Sequence, residues 1–489
     1  MGKETELKLS LPVSSVSALR AHPLLQIAEP VGPVKTLDNT YFDTSDLLLH
    51  QQRVALRTRQ QGDIWLQTIK CASVSVGGLS QRPEWEKPYT GEFDFTDVEL
   101  KPVRKMLQKL QPQLQPVFTT LFNRETLFLK MDSGAEVLLM LDQGDILAQG
   151  GRLPICELEL ELVSGQPEEL LHLAVDLAET LPLMPSDISK AERGYKLFNG
   201  ETDGPMKMPA VLLHKHQTPL AAFKALAFAC IAQWQGNAGG AANSDDPEFV
   251  HQLRISQRRL RALLRLFKPI LPQDWFVYWN KTLADNARLF SEVRDLDVMS
   301  DELLPALRLL PETDHWHFPE LHQLVIKQRD LARHALMEHP DLQRQGRLIL
   351  MLVTELHALE SPDHEDETLK SFVKQQLKSL RQRVHKRYRK ALKGDLADLH
   401  QLRIALKPLR YALEFFMTIL PAGKTLPEYD SVVTAVRALG QVNDMAMASR
   451  ILTGLTSADT SLQTAQAYMA GLQSARLEDQ RKIALRALK

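Results

Sequence analysis

Glu4, Glu6 and Lys8 alternate near the start of the chain, and Glu157, Glu159 and Glu161 alternate around Leu158 and Leu160. In a β-strand alternate side chains share a face, so each stretch presents one charged face and one apolar face. The same parity groups Arg57 with Arg59, Thr68 with Lys70, Arg82 with Glu84 and Glu86, Arg124 with Lys130, and Glu136 with Asp142. On one strand a charged face is most simply solvated. Several strands mixing carboxylates with Arg and Lys on one side, and aliphatic residues on the other, favour a polar barrel interior. Such an interior is costly to desolvate unless its charges meet counter-charges or ligands. Paired carboxylates take hard cations such as Mg²⁺ or Mn²⁺ through oxygen. Arg and Lys grip phosphate oxygens through charge-assisted hydrogen bonds. A cavity offering both suits a metal–polyphosphate complex, whose hydrolysis needs a polarised phosphorus and an activated water. No GxxxxGK[ST] run occurs, so a P-loop is not indicated.

The elements that must carry these residues divide the 489-residue chain in two. Up to about residue 198, strand patterns dominate, punctuated by turn signals at Gly62-Asp63, Gly77-Gly78, Ser133-Gly134 and Gly150-Gly151. Leu170, Leu173, Leu177 and Leu181 predict an amphipathic helix over 168–181. The boundaries expected are 1–200 for a first domain, 201–214 for a linker rich in Gly, Pro and polar residues, and 215–489 for a helical domain. Within the last, 236–247 (GNAGGAANSDDP) reads as a loop with Pro247 opening the next helix, and 364–367 (HEDE) as a solvated acidic loop. Net charge is −1, but residues 1–200 hold 20 basic and 27 acidic residues, and the remaining 289 hold 39 and 33. The modest basic excess of the second half favours anionic partners. Three scattered cysteines without a CxxC pattern, no apolar leader and no run of about 18 apolar residues point to a cytoplasmic protein without a membrane span.

The second half repeats itself. His251-Gln-Leu-Arg254 recurs 149 residues later as His400-Gln-Leu-Arg403, and Leu253, Leu260, Leu264 and Phe267 recur as Leu402, Leu409, Leu413 and Phe416. A constant register of this length predicts a duplicated helical unit. His251, Arg254, Arg258, Arg261 and Arg265 fall on one helical face, as do His400, Arg403, Lys407, Arg410 and Glu414. One basic stripe is ordinarily solvated. Two copies plus the run at 374–390 (KQQLKSLRQRVHKRYRK) favour a polyanion surface. Pro408 removes a backbone donor inside the second helix, where a kink is expected.

Glu4-x-Glu6-x-Lys8 resembles the ExExK signature of the CYTH superfamily, the triphosphate tunnel metalloenzymes. The resemblance continues in order through Tyr41-Phe42-Asp43-Thr44, Arg57-Thr58-Arg59, Lys70, Arg82-x-Glu84-x-Glu86, Arg124, Asp142, Glu157-x-Glu159-x-Glu161 and Ser189-Lys190-Ala191-x-Arg193-Gly194-Tyr195. Residues 215–489 resemble the CHAD (conserved-histidine α-helical) domain, through the two His-x-x-Arg segments, Arg258, Val293-Arg294-Asp295-Leu296-Asp297, Lys407, Arg410 and Asn443-Asp444. They depart from it at Pro408, where a basic residue is usual.

The resemblance implies an α+β chain: an eight-stranded antiparallel β-tunnel, then an all-α duplicated helical bundle. It implies that Glu4, Glu6, Glu157 and Glu159 hold the metal. Lys8, Arg57, Arg59, Lys70, Arg124 and Lys190 would grip phosphates, with Arg82 assisting. Glu84, Glu86 and Asp142 would serve a second metal's water shell or orient those cations, and with Glu4, Glu6 and Lys8 they make up the expected catalytic set. His251, Arg254, Arg258, Arg261, His400, Arg403, Lys407 and Arg410 would bind inorganic polyphosphate. The expected function is Mg²⁺- or Mn²⁺-dependent hydrolysis of inorganic triphosphate to pyrophosphate and phosphate, with no membrane or sequence-specific nucleic-acid partner. Adenylate cyclase or thiamine-triphosphatase activity on the same fold, or a non-catalytic polyphosphate-binding module, stay open as alternatives.

Overall fold

The computed structural model describes residues 3–71, 75–304, 318–339, 344–360, 367–393, 395–456 and 460–489. The acidic 364–367 segment lies outside these apart from Glu367. Contacts divide the chain into two units, 1–204 with 343–359, and 205–342 with 360–489.

In the first unit, eight strands form the barrel: β1 Lys3–Ser10, β2 Lys35–Asp43, β3 Val54–Gln61, β4 Ile64–Cys71, β5 Leu79–Pro88, β6 Gln115–Lys130, β7 Glu136–Ala148 and β8 Gly151–Ser164. They pair antiparallel in the order β1-β8-β7-β6-β2-β3-β4-β5, and β5 returns to β1. Closure leaves these strands no free edge.

The barrel is built with its polar faces inward, which is why its strands carry charge at alternate positions. The outward faces bury Leu7, Leu9, Leu158 and Leu160, and the helix Pro167–Leu177 lies on β1 and β8 with Leu170, Leu171, Leu173 and Leu177 buried. Each such aliphatic side chain contributes roughly 1.5–3 kcal/mol when fully buried. Register then sets the inner wall. Glu4 stands opposite Arg82, Glu6 opposite Glu161, Lys8 opposite Glu159, Lys70 opposite Glu84 and Arg124 opposite Asp142.

A segment from far along the chain completes this unit. The helix Gln345–Ala358 packs on the helix Pro167–Leu177 and on the two-residue strand Met184–Pro185. Gly346 makes this possible: a Cβ there would stand 1.8 Å from the Leu183 carbonyl oxygen. Val353 fills the space beside Gly77, whose φ of +67° suits glycine in the turn before β5.

The second unit is helical, and its boundaries follow the repeat. Helices Pro247–Phe267 and Leu396–Phe416 begin and end 149 residues apart, and Gln273–Leu289 is matched by the start of Ala422–Thr456 at the same offset. The core keeps this register. Phe223 and Phe267 are the 149-residue counterparts of Phe372 and Phe416, and Phe267 lies 5.4, 4.9 and 6.0 Å from Phe223, Phe372 and Phe416. The second helix runs on through Pro408.

The loop expected at 236–247 is corrected. The helix Pro219–Asn243 continues to Asn243, leaving only residues 244–246 outside, and Asp246 caps the helix that Pro247 opens. Glycine's weak helix propensity is overridden by close packing: a Cβ at Gly240 would meet the Phe249 ring at 2.1 Å.

Candidate functional site

Inside the barrel lies a cavity of about 680 Å³ whose wall carries eight Lys/Arg and eight Asp/Glu side chains. The charges alternate. Lys70 Nζ is 2.7 Å from Glu84 and 2.9 Å from Glu4. Arg82 bridges Glu4, at 3.5 Å, and Glu6. Lys8 Nζ lies 3.9 Å from Glu6 and 3.7 Å from Glu159. Arg57 and Arg59 have longer pairs, 4.0 Å to Glu84 and 3.9 Å to Glu86. Their other partners are neutral: Arg57 donates to the Tyr41 hydroxyl at 3.4 Å, and Arg59 to Asn39 at 2.8 Å.

Every barrel residue expected to bind metal or phosphate or to act in catalysis lines this cavity except Asp142 and Glu157. Those two stand behind the wall. The carboxylates of Asp142, Glu157 and Glu159 approach within 4.8 Å of one another, a spacing that could hold a metal ion. The cations among them here belong to the protein. Lys190 Nζ is 2.6 Å from Asp142 and 3.0 Å from Glu159 and also pairs with Glu157. Arg124 is 2.6 Å from both Asp142 and Glu159, and Arg193 is 3.1 Å from Glu157.

The wall is neutral but polarised. Burial lowers the Arg59 pKa to about 10, and the neighbouring Arg57 and Arg124 add to the effect, so this side holds more positive charge than it satisfies. Burial likewise pushes the Glu161 carboxyl up to about 7, with Glu4 next in effect, and among the described residues Glu161 makes no ion pair. Elsewhere carboxylates overcome the burial that opposes charge on Arg82, Arg124 and Lys190, and all three pKa values are raised. The Nε–H of Arg57 is buried without a hydrogen-bond acceptor, and that of Arg82 faces Glu4 at 3.5 Å.

Glu4, Glu6, Glu159 and Glu161 face one cavity and offer the oxygen donors a hard cation takes, with Glu4, Glu6 and Glu159 paired here to Lys and Arg. Arg193 and Asn39 were given no role by sequence alone, and Glu161 only shared the parity of the expected metal ligands. Strand parity points to Glu161, whereas Arg193 lies 36 residues from Glu157 and has no comparable signal.

In the helical unit, Arg254, Arg258, Arg403, Lys407 and Arg410 influence one another electrostatically. Burial pushes Lys407 down to about 8, helped by Arg403 and Arg258. Arg254 also donates to the carbonyls of Phe290 and Ser291 at 3.1 and 3.2 Å. His251 lies beside Arg294 and Arg258, and its pKa is lowered, chiefly by burial. Arg261 sits apart, near Arg265 and Arg288, and His400 is exposed. Glu414 ends the second stripe by pairing with Arg259 at 2.5 Å. A separate basic surface comes from Arg381, His385, Lys386 and Arg389.

A closed barrel with a charged interior defines the first unit as a polar β-tunnel, and the second is a duplicated helical bundle. Residues 2–195 match the CYTH domain and residues 225–453 the CHAD domain, so the chain carries a CYTH domain followed by a CHAD domain. A curated relative, the inorganic triphosphatase of Haemophilus influenzae, is 37% identical over 165 residues, which are 33% of this chain and 46% of that protein. The chain therefore spans less than half the length of that relative. The crystal structure of the CHAD domain from the plant Ricinus communis is similar at 27% identity and a TM-score of 0.51, over 59% of this chain and 98% of that one. No described helix is long and apolar enough to cross a membrane.

Proposed function

We propose that the tunnel binds inorganic triphosphate together with Mg²⁺ or Mn²⁺ and hydrolyses it to pyrophosphate and phosphate. The observation that carries this reading is a neutral wall that leaves Arg59 at one pole and Glu161 at the other short of counter-charge. A bare polyanion gains little from a wall of equal charges, whereas a polyanion carrying a divalent cation satisfies both poles at once. The relative named an inorganic triphosphatase supports the choice of substrate.

Glu4, Glu6, Glu159 and Glu161 hold the cation, which when bound polarises a phosphoryl oxygen and acidifies its water. Arg57, Arg59 and Arg124 take phosphate oxygens. Lys8, Lys70 and Lys190 exchange carboxylate partners for phosphate, and Arg82 keeps Glu4 and Glu6 in place. Glu84 and Glu86 orient Lys70, Arg57 and Arg59. Glu157 and Asp142 hold Lys190 from behind. Three free cysteines suit a reducing compartment, and the reading places the protein in the cytoplasm.

Phosphate release from tripolyphosphate, ATP and thiamine triphosphate, with each metal and with EDTA, tests the assignment. Metal-dependent preference for tripolyphosphate is expected. Preference for either organic substrate, or cyclic AMP formed from ATP, overturns it.

The cationic face around Arg258, Arg403 and Lys407 binds inorganic polyphosphate in this reading, because a bound anion would relieve the repulsion that Asp444 offsets only in part at Lys407. Calorimetric titration with polyphosphate is the direct check, and no heat of binding at low salt would sink it.

A further inference from the structure

Asp43 is fully buried at the end of β2, and among the described residues it has no ion pair. A buried carboxylate without a cation is expensive unless donors surround it. Asp43 has four. Oδ1 accepts from the backbone N–H of Thr44 at 2.7 Å and Leu49 at 2.8 Å; Oδ2 accepts from the His50 N–H at 2.9 Å and the Tyr195 hydroxyl at 2.9 Å. The last of these crosses 152 residues of chain. It reaches the helix Lys190–Phe198, whose first residue is the lysine among Asp142, Glu157 and Glu159.

The surroundings show a docking built to measure. The Tyr195 ring stacks on His50 at 4.2 Å and meets Phe118 edge-on at 5.1 Å. Gly194 lays the helix backbone directly on Phe118, where a Cβ would come within 2.1 Å of the ring. Phe118 stacks in turn on Tyr41 at 4.5 Å, and Tyr41 accepts from Arg57. Burial and the adjacent Asp43 raise the Tyr195 pKa, which keeps the hydroxyl a donor.

This helix has two kinds of anchor. One is charged: Lys190 to three carboxylates, and Arg193 to Glu157. The other is neutral on the helix side: Tyr195 lines the cavity, but its acceptor Asp43 is fully buried and lies outside the cavity wall. When Lys190 turns to a phosphate oxygen, it gives up part of the charged anchor. We propose that the Asp43–Tyr195 hydrogen bond fastens the helix through that exchange, which makes both side chains positioning residues for the Lys190 ammonium. The inference rests on the tunnel being the phosphate site.

The test uses full-length Tyr195→Phe, which keeps the ring and removes the donor, with Asp43→Asn as a second variant. Both are compared for tripolyphosphate hydrolysis and for hydrogen exchange over 190–198. The expected result is a KM raised about tenfold, the size of one hydrogen bond to a charged group, with kcat within about twofold and faster exchange in the helix. In a Lys190→Met background the effect of Tyr195→Phe on KM should vanish, because it acts through that lysine. Equal KM effects in both backgrounds, or unchanged exchange with either variant, overturn the proposal. If the wild-type protein shows no turnover, the triphosphatase reading fails, and the exchange measurement alone decides whether the fastening exists.

Discussion

The two units treat buried cations in opposite ways. In the barrel, Arg82, Arg124 and Lys190 sit deep among carboxylates and hold their protons more tightly than in water. In the helical unit, Arg254, Arg261, Arg403 and Lys407 are only partly covered, and all four have lowered pKa values. Burial is the first cause in that unit, and neighbouring cations add to it. A site that neutralises itself must exchange partners to admit an anion, which suits selectivity for a small ligand with its own cation. A face left short of negative charge attracts any polyanion, with less demand on its shape. Arg59 is the exception that locates the barrel's own anion pole.

The largest effect that could break this contrast lies at the acidic pole. Glu4→Gln/Glu6→Gln should lower metal-dependent phosphate release from tripolyphosphate by about three orders of magnitude, the scale of lost metal stabilisation. The thermal stabilisation that Mn²⁺ gives the wild-type protein should disappear with it. Residual metal-dependent turnover near the wild-type rate would move the cation elsewhere.

Next in size is Lys190→Met. It leaves Asp142, Glu157 and Glu159 with Arg124, Arg193 and the more distant Lys8, so stability should fall by about 3–5 kcal/mol in denaturant titration. A neutral result would show that the cluster does not depend on its lysine.

These residues were legible because strand parity carries them. A period of two with charges on the inner side identifies both the barrel and most of its wall, from Glu4 to Glu161. The helical duplication was legible because 149 residues separate His251 from His400 and Phe267 from Phe416 alike. Tertiary choices were not. Asp43 and Tyr195 lie 152 residues apart, and neither has a local pattern that names the other. The helix at 236–243 was hidden by glycines whose value lies in what they let approach. Ile349, Leu350, Val353 and Leu356 give an apolar stripe that any bundle helix shows, so nothing in it names the barrel as its destination.

Smaller effects sharpen the helical side. Arg258→Ala/Arg403→Ala/Lys407→Ala should weaken polyphosphate binding roughly tenfold or more at 0.15 M salt, with less loss at high salt, where screening already weakens the wild type. The melting temperature should hold or rise, because like charges are being removed. A fall in melting temperature with unchanged affinity would make the face structural.

Smallest is the proton signature of Lys407. Its folded pKa of about 8 lies below the ordinary lysine value, so the folded state binds fewer protons than the unfolded one between those limits, and stability rises with pH across that window. Bound polyphosphate should restore the proton. Titration at pH 8 in buffers of different ionisation enthalpy should show uptake of about half a proton, falling to almost none at pH 6. Equal uptake at both values would assign it to another group.

The helix Gln345–Ala358 has a consequence for the making of the protein. It lies between the two helical repeats in sequence, yet it covers the helix Pro167–Leu177 and the strand leading to Lys190. During translation the first 204 residues leave the ribosome without that cover, and it is complete only at residue 359. At roughly 5–20 residues per second, the 155 residues between take roughly 8–31 s. A nascent barrel therefore waits with an apolar flank open to chaperones or to a neighbouring chain. Synonymous codon changes that slow synthesis between 205 and 343 would lengthen that exposure without altering a single residue.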